Sequence, residues 1–304
     1  MKILVVGSGG VGGYIGANLA KQTEESVTLV ARGEHAVVMR EKGIGIIEDH
    51  ETWYTSRFQV ASLEALDGVY DLVLVCVKSY DLDAVIDALK GHVDAKSIVI
   101  PFGNGIAPYE RLKSVCHARV LRGAIYILSH IEGPGYIRKK GKVFAAVVGS
   151  DTFLEAVAQV KSVFESANLR IKTPQKIQEA IWKKYIFISA FATLTSYHNA
   201  SMRAVAKAYK DEALGLLHEI ADVAQTQGVS IESEVEKSYT TALSLPESAS
   251  SSMHLDFQKG RKTELETLSG YIVKKGRAAA IATPLMEKMY HALKSDLYST
   301  LRAQ

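Results

Sequence analysis

Six residues near the N-terminus form the pattern G-x-G-x-x-G, a spacing with which a chain can hold a phosphate. The segment reads Gly7-Ser8-Gly9-Gly10-Val11-Gly12; it follows a short apolar run and opens a helical pattern. Gly7 permits a tight turn, Gly9 lets the backbone approach a pyrophosphate, and Gly12 permits close packing of helix against strand. The helix N-terminus adds N–H donors and a partial positive charge. The pattern predicts a dinucleotide site formed by these six residues, with a purely structural turn as the alternative.

Three polar residues follow other apolar runs and are candidates for the same site. Arg32 ends the second run, where an NAD site usually has a carboxylate and where a guanidinium suits a 2′-phosphate. Arg32 therefore favours NADP as the cofactor, although Glu34 is close in sequence and a solvated arginine is the alternative. Lys78 and Asn104 each follow a further run, at the edge of a sheet where ligands bind. We expect Lys78 to contact the cofactor, and Asn104 to hydrogen-bond the cofactor or a substrate oxygen, with a capping or surface lysine and a plain Asn-Gly turn as the alternatives.

The elements that must position these residues follow a strand–helix alternation in the first half of the chain. Helical patterns separate four short apolar runs, as in a parallel sheet covered on both faces, at residues 2–6, 27–31, 71–77 and 97–102. Segments 43–60 and 135–149 look like additional hairpin strands, and after about residue 173 only helical periodicity remains. We predict an α/β fold, with a Rossmann-type parallel-sheet domain that binds NADP at 1–173 and an all-helical substrate and catalytic domain at 174–304.

Composition narrows the range of partners. The chain has 304 residues, 47% hydrophobic and 23% charged, which is typical of a globular protein, and a formal charge of +3. This charge is too weak for a nucleic-acid or membrane surface but suits an acidic small molecule. Cys76 and Cys116 lack metal-ligand spacing, and no apolar run reaches the roughly 18 residues of a membrane span. We expect a cytoplasmic monomer or homodimer that uses no metal.

The chain as a whole resembles the ketopantoate reductases (2-dehydropantoate 2-reductases). Five landmarks carry the resemblance, in the family's order: GSGGVGG at 7–13, CVKSYDL at 76–82, GNG at 103–105, IWKK at 181–184 and SSMHLDFQKGRKTE at 251–264. They cover nearly the whole chain, and the last is the most specific. The resemblance implies a Rossmann domain, a helical domain and NADPH-dependent reduction of 2-dehydropantoate to (R)-pantoate, a step in pantothenate and coenzyme A biosynthesis.

Position by position, the resemblance makes Lys184 the catalytic lysine and Glu264 its partnering glutamate. Asn104 matches an asparagine near the nicotinamide, and Ser252 a serine that contacts the substrate. Hydride arriving at a ketone carbon creates an alkoxide, which a nearby ammonium both stabilises and protonates. Glu264 can hold that ammonium in place and influence its pKa. Periodicity alone does not separate Lys184 from Lys183; only the W-x-K register of the family does.

Two positions depart from the family's pattern. The family usually has asparagines four and eight residues after the catalytic lysine, whereas this chain has Ile188 and Ala192, beside Ser189 and Thr193. Isoleucine cannot make the hydrogen bonds of an amide. Three interpretations therefore stand: a ketopantoate reductase, a paralogue that reduces another 2-oxo acid or a larger or less polar carbonyl compound, and a non-catalytic NADPH sensor. The lysine–glutamate pair argues against the sensor, because a binding protein needs neither residue.

Overall fold

The computed structural model describes residues 1–49 and 51–302, and the chain divides into two compact units. The first unit comprises Met1–Gly103 and Pro108–Ile177, and the second comprises Asn104–Ala107 and Gln178–Gln304. Residue 178, rather than 174, therefore begins the main part of the second unit. The short segment that carries Asn104 also belongs to this second unit, although its neighbours in sequence lie in the first.

The first unit contains the strands of the chain and the helices between them. Its strands are β1 Lys2–Val6, β2 Ser26–Val30, β3 Ile44–Glu48, β4 Glu51–Thr55, β5 Gln59–Ala61, β6 Leu72–Val75, β7 Ile98–Pro101, β8 Arg119–Val120, β9 Arg122–Gly133, β10 Tyr136–Gly149 and β11 Ile171–Lys172. Its helices are α1 Gly10–Gln22, α2 Gly33–Lys42, α3 Leu82–Leu89, α4 Ala107–Val115, which begins at the last residue of the 104–107 segment, and α5 Leu154–Ser166.

A six-stranded parallel sheet lies at the centre of this unit. Its spatial order is β5-β2-β1-β6-β7-β8, which is 3-2-1-4-5-6 when these strands are counted along the chain. This is the strand order of Rossmann dinucleotide-binding folds, whose ligands lie where the order reverses, beside the first strand. Ile3 and Val5 belong to one apolar cluster and Leu4 and Val6 to another, so the central strand is buried on both faces. The predicted parallel sheet is confirmed.

A second sheet accompanies the first and was only partly expected from the sequence. It has the order β11-β10-β3-β4, and the long strand β9 pairs antiparallel with β10. The predicted hairpin of residues 43–60 contains β3 and β4, while β5 at its end joins the parallel sheet instead. Helix α1 contacts this second sheet, since the ring centroids of Tyr14 and Phe144 lie 5.3 Å apart. The second sheet therefore packs against the helix that follows the glycine pattern.

The second unit is helical throughout its described residues, which confirms the predicted class of the C-terminal region. Its elements are α6 Ile177–His198, whose first residue is the last of the first unit, α7 Met202–Ala208, α8 Lys210–Thr226, α9 Glu234–Ser244, α10 Ser252–Gln258, a π-helical turn Glu266–Gly270, α11 Tyr271–Ala278 and α12 Pro284–Arg302. Helix α6 starts at Ile177 rather than at Pro174, and it ends before Asn199, which has a φ of +47°. No helix in the described part of the chain is long and apolar enough to cross a membrane.

Candidate functional site

Three glycines of the N-terminal pattern are required by packing alone. Gly7 has a φ of +94°, and a Cβ there would lie 2.8 Å from Val77 Cγ1. A Cβ on Gly12 would lie 2.1 Å from the carbonyl oxygen of Gly7, and one on Gly10 would lie 2.4 Å from that of Ser129 in β9. Real Cβ atoms essentially never make contacts this short, so a side chain at any of these positions would force the surrounding structure to move.

Gly9 differs from the other three glycines. Its φ is −73°, which any residue adopts, and apart from its chain neighbours no heavy atom of the described residues lies within 4 Å of the position that a Cβ would take. It is the N-cap of α1, without a side-chain cap, and the first turn of the helix contains no acidic residue. The N–H groups of that turn are therefore available to an anion. The fold does not require glycine at position 9, but a phosphate placed against the backbone does.

Ser8 is used by the fold rather than left for a ligand. Its hydroxyl donates to the carbonyl oxygen of Val30 at 2.9 Å, and its N–H donates to the same oxygen at 3.0 Å. Its own carbonyl oxygen lies 3.0 Å from Nε2 of His35, and Nδ1 of that ring accepts the N–H of Gly135 at 2.9 Å. Because an N–H can only donate, the proton of the neutral ring is on Nε2. Ser8 therefore shapes the turn, and His35 ties the turn to the β9–β10 hairpin.

The residues around the N-terminus of α1 fit a pyridine dinucleotide. The Oγ atom of Ser129 is buried without a hydrogen-bond partner, and the Ser129 backbone lies against Gly10. A buried hydroxyl without a partner is costly unless a ligand or water satisfies it. Free helix N–H groups, open space at Gly9 and this unsatisfied hydroxyl together offer what a phosphate-containing, amide-bearing cofactor requires. Nothing in the sequence pattern marks Ser129, because its strand was not predicted.

Arg32 and Lys78 follow the strands on either side of the central strand. Arg32 is the N-cap of α2, directly after β2, and its side chain is 86% exposed and forms an ion pair with Asp81 at 3.2 Å. Lys78 follows β6 and precedes the 3₁₀ turn Ser79–Asp81. Strands β2 and β6 both pair in parallel with β1. The glycine pattern and these two cations therefore follow the carboxyl ends of three neighbouring strands, at one edge of the sheet. This edge is where the fold places a dinucleotide.

In the second unit, the structure brings together Lys184, Asn104 and Glu264. Lys184 Nζ donates to Asn104 Oδ1 at 3.3 Å, and Asn104 Nδ2 donates to Glu264 Oε2 at 3.4 Å. Glu264 is only 3% exposed. Both hydrogen bonds are long. Ser252 does not belong to this group; it is exposed at the first turn of α10.

The two adjacent lysines of α6 have different environments. Burial lowers the pKa of Lys184 to about 8, and the negative charge of Glu264 opposes that shift only in part. Lys183 instead forms ion pairs with Glu179 at 2.7 Å and Glu234 at 3.6 Å, and these raise its pKa. An ammonium with a pKa near neutrality can give up a proton, whereas Lys183 serves as a surface ion-pair partner.

A ladder of hydroxyl groups on α6 holds the π-helical turn that follows Glu264. Tyr185 Oη lies 2.7 Å from the carbonyl oxygen of Leu268, and Ser189 Oγ donates to the same oxygen at 2.8 Å. One turn further on, Thr193 Oγ1 lies 2.7 Å from Ser269 Oγ. Residues spaced by four lie on one helix face. The hydroxyl groups on this stripe of α6, which lies next to Lys184, therefore hold the π-helical turn that follows Glu264.

The two departures from the family's pattern lie on the stripe of Lys184 itself. Ile188 is partly exposed, and Ala192 is 3% exposed. Ser189 and Thr193 are fully buried and hydrogen-bonded as described above, so they cannot replace the missing amides. The stripe that continues from the lysine is therefore apolar over these two turns.

Four residues beyond Ala192, the buried Oγ of Ser196 has no hydrogen-bond partner among the described residues. The polar residues at and just after the end of α6 are occupied elsewhere. His198 Nε2 lies 2.6 Å from Glu212 Oε2, and its ring stacks on Tyr209. Asn199 Oδ1 accepts from His254 at 2.8 Å, and the residue lines a separate cavity of about 370 Å³ in the second unit. At a rise of about 1.5 Å per residue, Asn199 lies roughly 20 Å along the helix from Lys184. A small acid cannot contact both.

Two contributors were missed by the sequence analysis for different reasons. His35 connects residues 100 positions apart in the chain through Gly135, and no local pattern reveals such a contact. Asp81 is only three residues after Lys78, and an acid beside a predicted cofactor lysine was a signal that could have been used. His35 contacts the glycine pattern, and Asp81 contacts Arg32.

The fold and these groups define a pyridine-nucleotide-dependent oxidoreductase, and comparison with known proteins gives its family. The family model described as "Ketopantoate reductase PanE/ApbA" matches residues 3–150, and the one described as "Ketopantoate reductase PanE/ApbA C terminal" matches residues 176–296. The chain belongs to the ketopantoate reductase family, whose members are oxidoreductases that act on CH–OH groups. The predicted resemblance is confirmed.

Two curated relatives match over almost their whole length. The uncharacterized oxidoreductase YkpB of Bacillus subtilis (strain 168) is 31% identical over 297 residues, which cover 95% of this chain and 97% of the relative. A 2-dehydropantoate 2-reductase of Halobacterium salinarum is 27% identical over 301 residues, which cover 95% and 96%.

Solved structures show the same fold. A PanE/ApbA family ketopantoate reductase from Ralstonia eutropha JMP134 has a TM-score of 0.90 and 24% identity, with 99% of this chain and 100% of that chain covered. D-mandelate dehydrogenase, in a ternary structure with NADH and anilino(oxo)acetate, has a TM-score of 0.89 and 18% identity, with 99% of both chains covered.

Gly9 gives a direct test of the dinucleotide site. We expect Gly9→Val to weaken binding of NADPH and NADH by about 100-fold or more, which is about 2.7 kcal/mol, because the side chain fills the space for the pyrophosphate. The free energy of unfolding should change by about 1 kcal/mol or less, because valine is a poorer N-cap than glycine but no described residue beyond its chain neighbours contacts that position. Fluorescence titration and chemical denaturation measure the two quantities.

Gly12→Val is the matched control. Its side chain would meet the carbonyl oxygen of Gly7, so we expect a loss of about 3 kcal/mol in unfolding free energy. If Gly9→Val bound both nucleotides with unchanged affinity, the glycine pattern would be a structural turn only.

Proposed function

We propose that this protein reduces a small 2-oxo acid to the corresponding 2-hydroxy acid with NADPH, and that Lys184 is the proton donor. The observation that carries the proposal is the environment of Lys184: an ammonium with a pKa lowered to about 8, in hydrogen-bond contact with Asn104, which in turn contacts the buried Glu264. A sensor that only binds the nucleotide has no use for a lysine tuned in this way.

NADP is the proposed form of the cofactor. Support comes from Arg32, which follows β2 with an exposed guanidinium and is placed by sequence position to meet a 2′-phosphate. Lys78 follows β6 at the same edge of the sheet and adds a second cation. Gly9, Gly10, Val11 and Gly12 are proposed to hold the pyrophosphate through the N–H groups around the start of α1.

The second unit supplies the acid chemistry. A bound reduced nicotinamide provides a hydride to the ketone carbon, and Lys184 stabilises the oxygen of that ketone as negative charge develops on it. The Lys184 ammonium then gives its proton to this oxygen, which completes the hydroxyl group. Asn104 orients the ammonium through its amide oxygen, and Glu264 orients Asn104 through the amide nitrogen. The negative charge of Glu264 also keeps the lysine protonated to a higher pH than burial alone allows.

The first candidate substrate is 2-dehydropantoate, reduced to (R)-pantoate for pantothenate and coenzyme A biosynthesis. The family and the relative from Halobacterium salinarum support it. A second candidate is a 2-oxo acid with a larger or less polar side chain, which Ile188 and Ala192 favour because they offer the substrate no hydrogen bond. D-mandelate dehydrogenase, with the same fold, was solved with an aromatic oxo acid. Ser252 is the proposed further substrate contact, and the proposed setting is the cytoplasm, as a monomer or homodimer.

The experiment that tests the function is NADPH oxidation at 340 nm against a panel of 2-oxo acids. The panel includes 2-dehydropantoate, a branched aliphatic acid of similar size and an aromatic acid such as benzoylformate. Reduction of any of them establishes the reaction, and the ranking of kcat/KM selects between the two candidates. No turnover with any member, together with tight NADPH binding, would favour the sensor instead.

The two lysines of α6 test the assignment of the proton donor. We expect Lys184→Ala to lower kcat by about 10²–10⁴-fold, the range for loss of a general acid. Lys183→Ala should leave kcat within a few-fold, because that residue forms partly exposed ion pairs with Glu179 and Glu234. Dissociation constants for NADPH should be similar in both variants. A larger loss in Lys183→Ala would show that the register of the motif is off by one.

The pH dependence follows from the same lysine. Reduction needs the protonated ammonium, so kcat/KM should be constant below the pKa of Lys184, which is about 8, and fall about tenfold per pH unit above it. Oxidation of the hydroxy acid needs the neutral amine, so its rate should rise through the same pH. Initial rates between pH 6 and 10 in both directions measure this, and a reduction rate that rises above pH 8 would contradict the assignment.

A further inference from the structure

Asp81 lies at the N-cap of α3 but does not cap that helix. An aspartate at this position commonly accepts N–H groups of its own first turn, whereas Asp81 makes no side-chain cap hydrogen bond. Its Oδ2 atom instead accepts from Arg32 Nη2 at 3.2 Å, across 49 positions of sequence. The carboxylate is therefore directed to the end of β2 and not to its own helix.

This contact has a consequence for the proposed NADP site. Arg32 is the group proposed to bind the 2′-phosphate, and in this structure its guanidinium already has an anionic partner. A 2′-phosphate must share or displace that partner, whereas NADH, which has a 2′-hydroxyl, meets no such competition. A carboxylate near this position can even accept a hydrogen bond from a ribose hydroxyl.

We propose that Asp81 is a determinant of cofactor preference: by holding the Arg32 guanidinium, it lowers the affinity for NADPH relative to NADH. The inference rests on the proposed function, because it takes Arg32 as the contact of the 2′-phosphate. It goes further because it assigns a residue that opposes NADPH binding. This residue keeps the preference for NADPH over NADH moderate and leaves NADH usable as a cofactor. The pair joins α2 and the turn before α3, both in the first unit.

The size of the effect is limited by solvent. The side chain of Arg32 is 86% exposed and that of Asp81 is 31% exposed, so water and salt screen their attraction. We expect release of Arg32 to tighten NADPH binding by about two- to fivefold, with the larger value at low ionic strength. NADH affinity should stay the same or weaken slightly, because NADH has no 2′-phosphate to benefit.

The experiment measures dissociation constants of the full-length protein for NADPH and NADH by nicotinamide fluorescence at 20 and 500 mM salt. The variants are Asp81→Asn, Arg32→Ala and the double variant, with thermal unfolding as a check on folding. Asp83→Asn is the matched control, because Asp83 lies in the first turn of the same helix and forms a similar exposed ion pair with Arg111 at 2.6 Å. It removes the same charge without releasing Arg32.

Asp81→Asn should raise the ratio of the NADH to the NADPH dissociation constant by about two- to fivefold at 20 mM salt, and Asp83→Asn should leave it unchanged. In the Arg32→Ala background, Asp81→Asn should have no further effect. An unchanged or lower ratio in Asp81→Asn, an equal rise in Asp83→Asn, or an equal rise without Arg32 would each overturn the inference while leaving the proposed function intact. If the unmodified protein bound neither nucleotide, the proposed function would fail and the inference with it.

Discussion

The register between α6 and the π-helical turn is the constraint on which the chemistry of the second unit depends. Tyr185, Ser189 and Thr193 hold that turn through its carbonyl and hydroxyl groups, in a fully buried interface. A π-helical turn is uncommon and needs such outside support for its backbone. Because Glu264 lies two residues before this turn and Lys184 lies one residue before the ladder, the hydroxyl groups fix both ends of the lysine–asparagine–glutamate group.

The same constraint limits what the neighbouring stripe of α6 can do. A helix has few faces, and here the hydroxyl groups on one stripe of α6 all form hydrogen bonds inside the protein. Ser189 and Thr193 thus look like replacements for the missing amides in the sequence, but their hydroxyls already have partners. Between Lys184 and Ser196, the stripe with Ile188 and Ala192 has no polar group. Under the proposed function, reaction chemistry and substrate choice are carried by different residues of one helix and can diverge independently.

The sequence was sufficient for the parallel sheet, the helical C-terminal region and the membership of the family. These depend on local signals: apolar runs, helical periodicity and short motifs. It was insufficient where partners are distant, as in the contact of His35 with Gly135 or the pairing of β9 with β10. Helical periodicity also could not separate Lys183 from Lys184, which only the W-x-K register of the family distinguished, since adjacent residues on a helix differ only in what they face. Burial and the ion pairs of Lys183 supply that difference.

The glycine pattern illustrates how packing and function can be separated within one motif. Gly7, Gly10 and Gly12 are explained by contacts inside the protein, so their presence alone is weak support for a ligand. The backbone of Gly9 has a conformation that any residue adopts, and a side chain there would enter open space. The fold therefore gives no reason for a glycine at this position. A residue type that the fold does not need is best explained by something that binds there. The unsatisfied hydroxyl of Ser129, on the strand packed against Gly10, leads to the same conclusion from a separate observation.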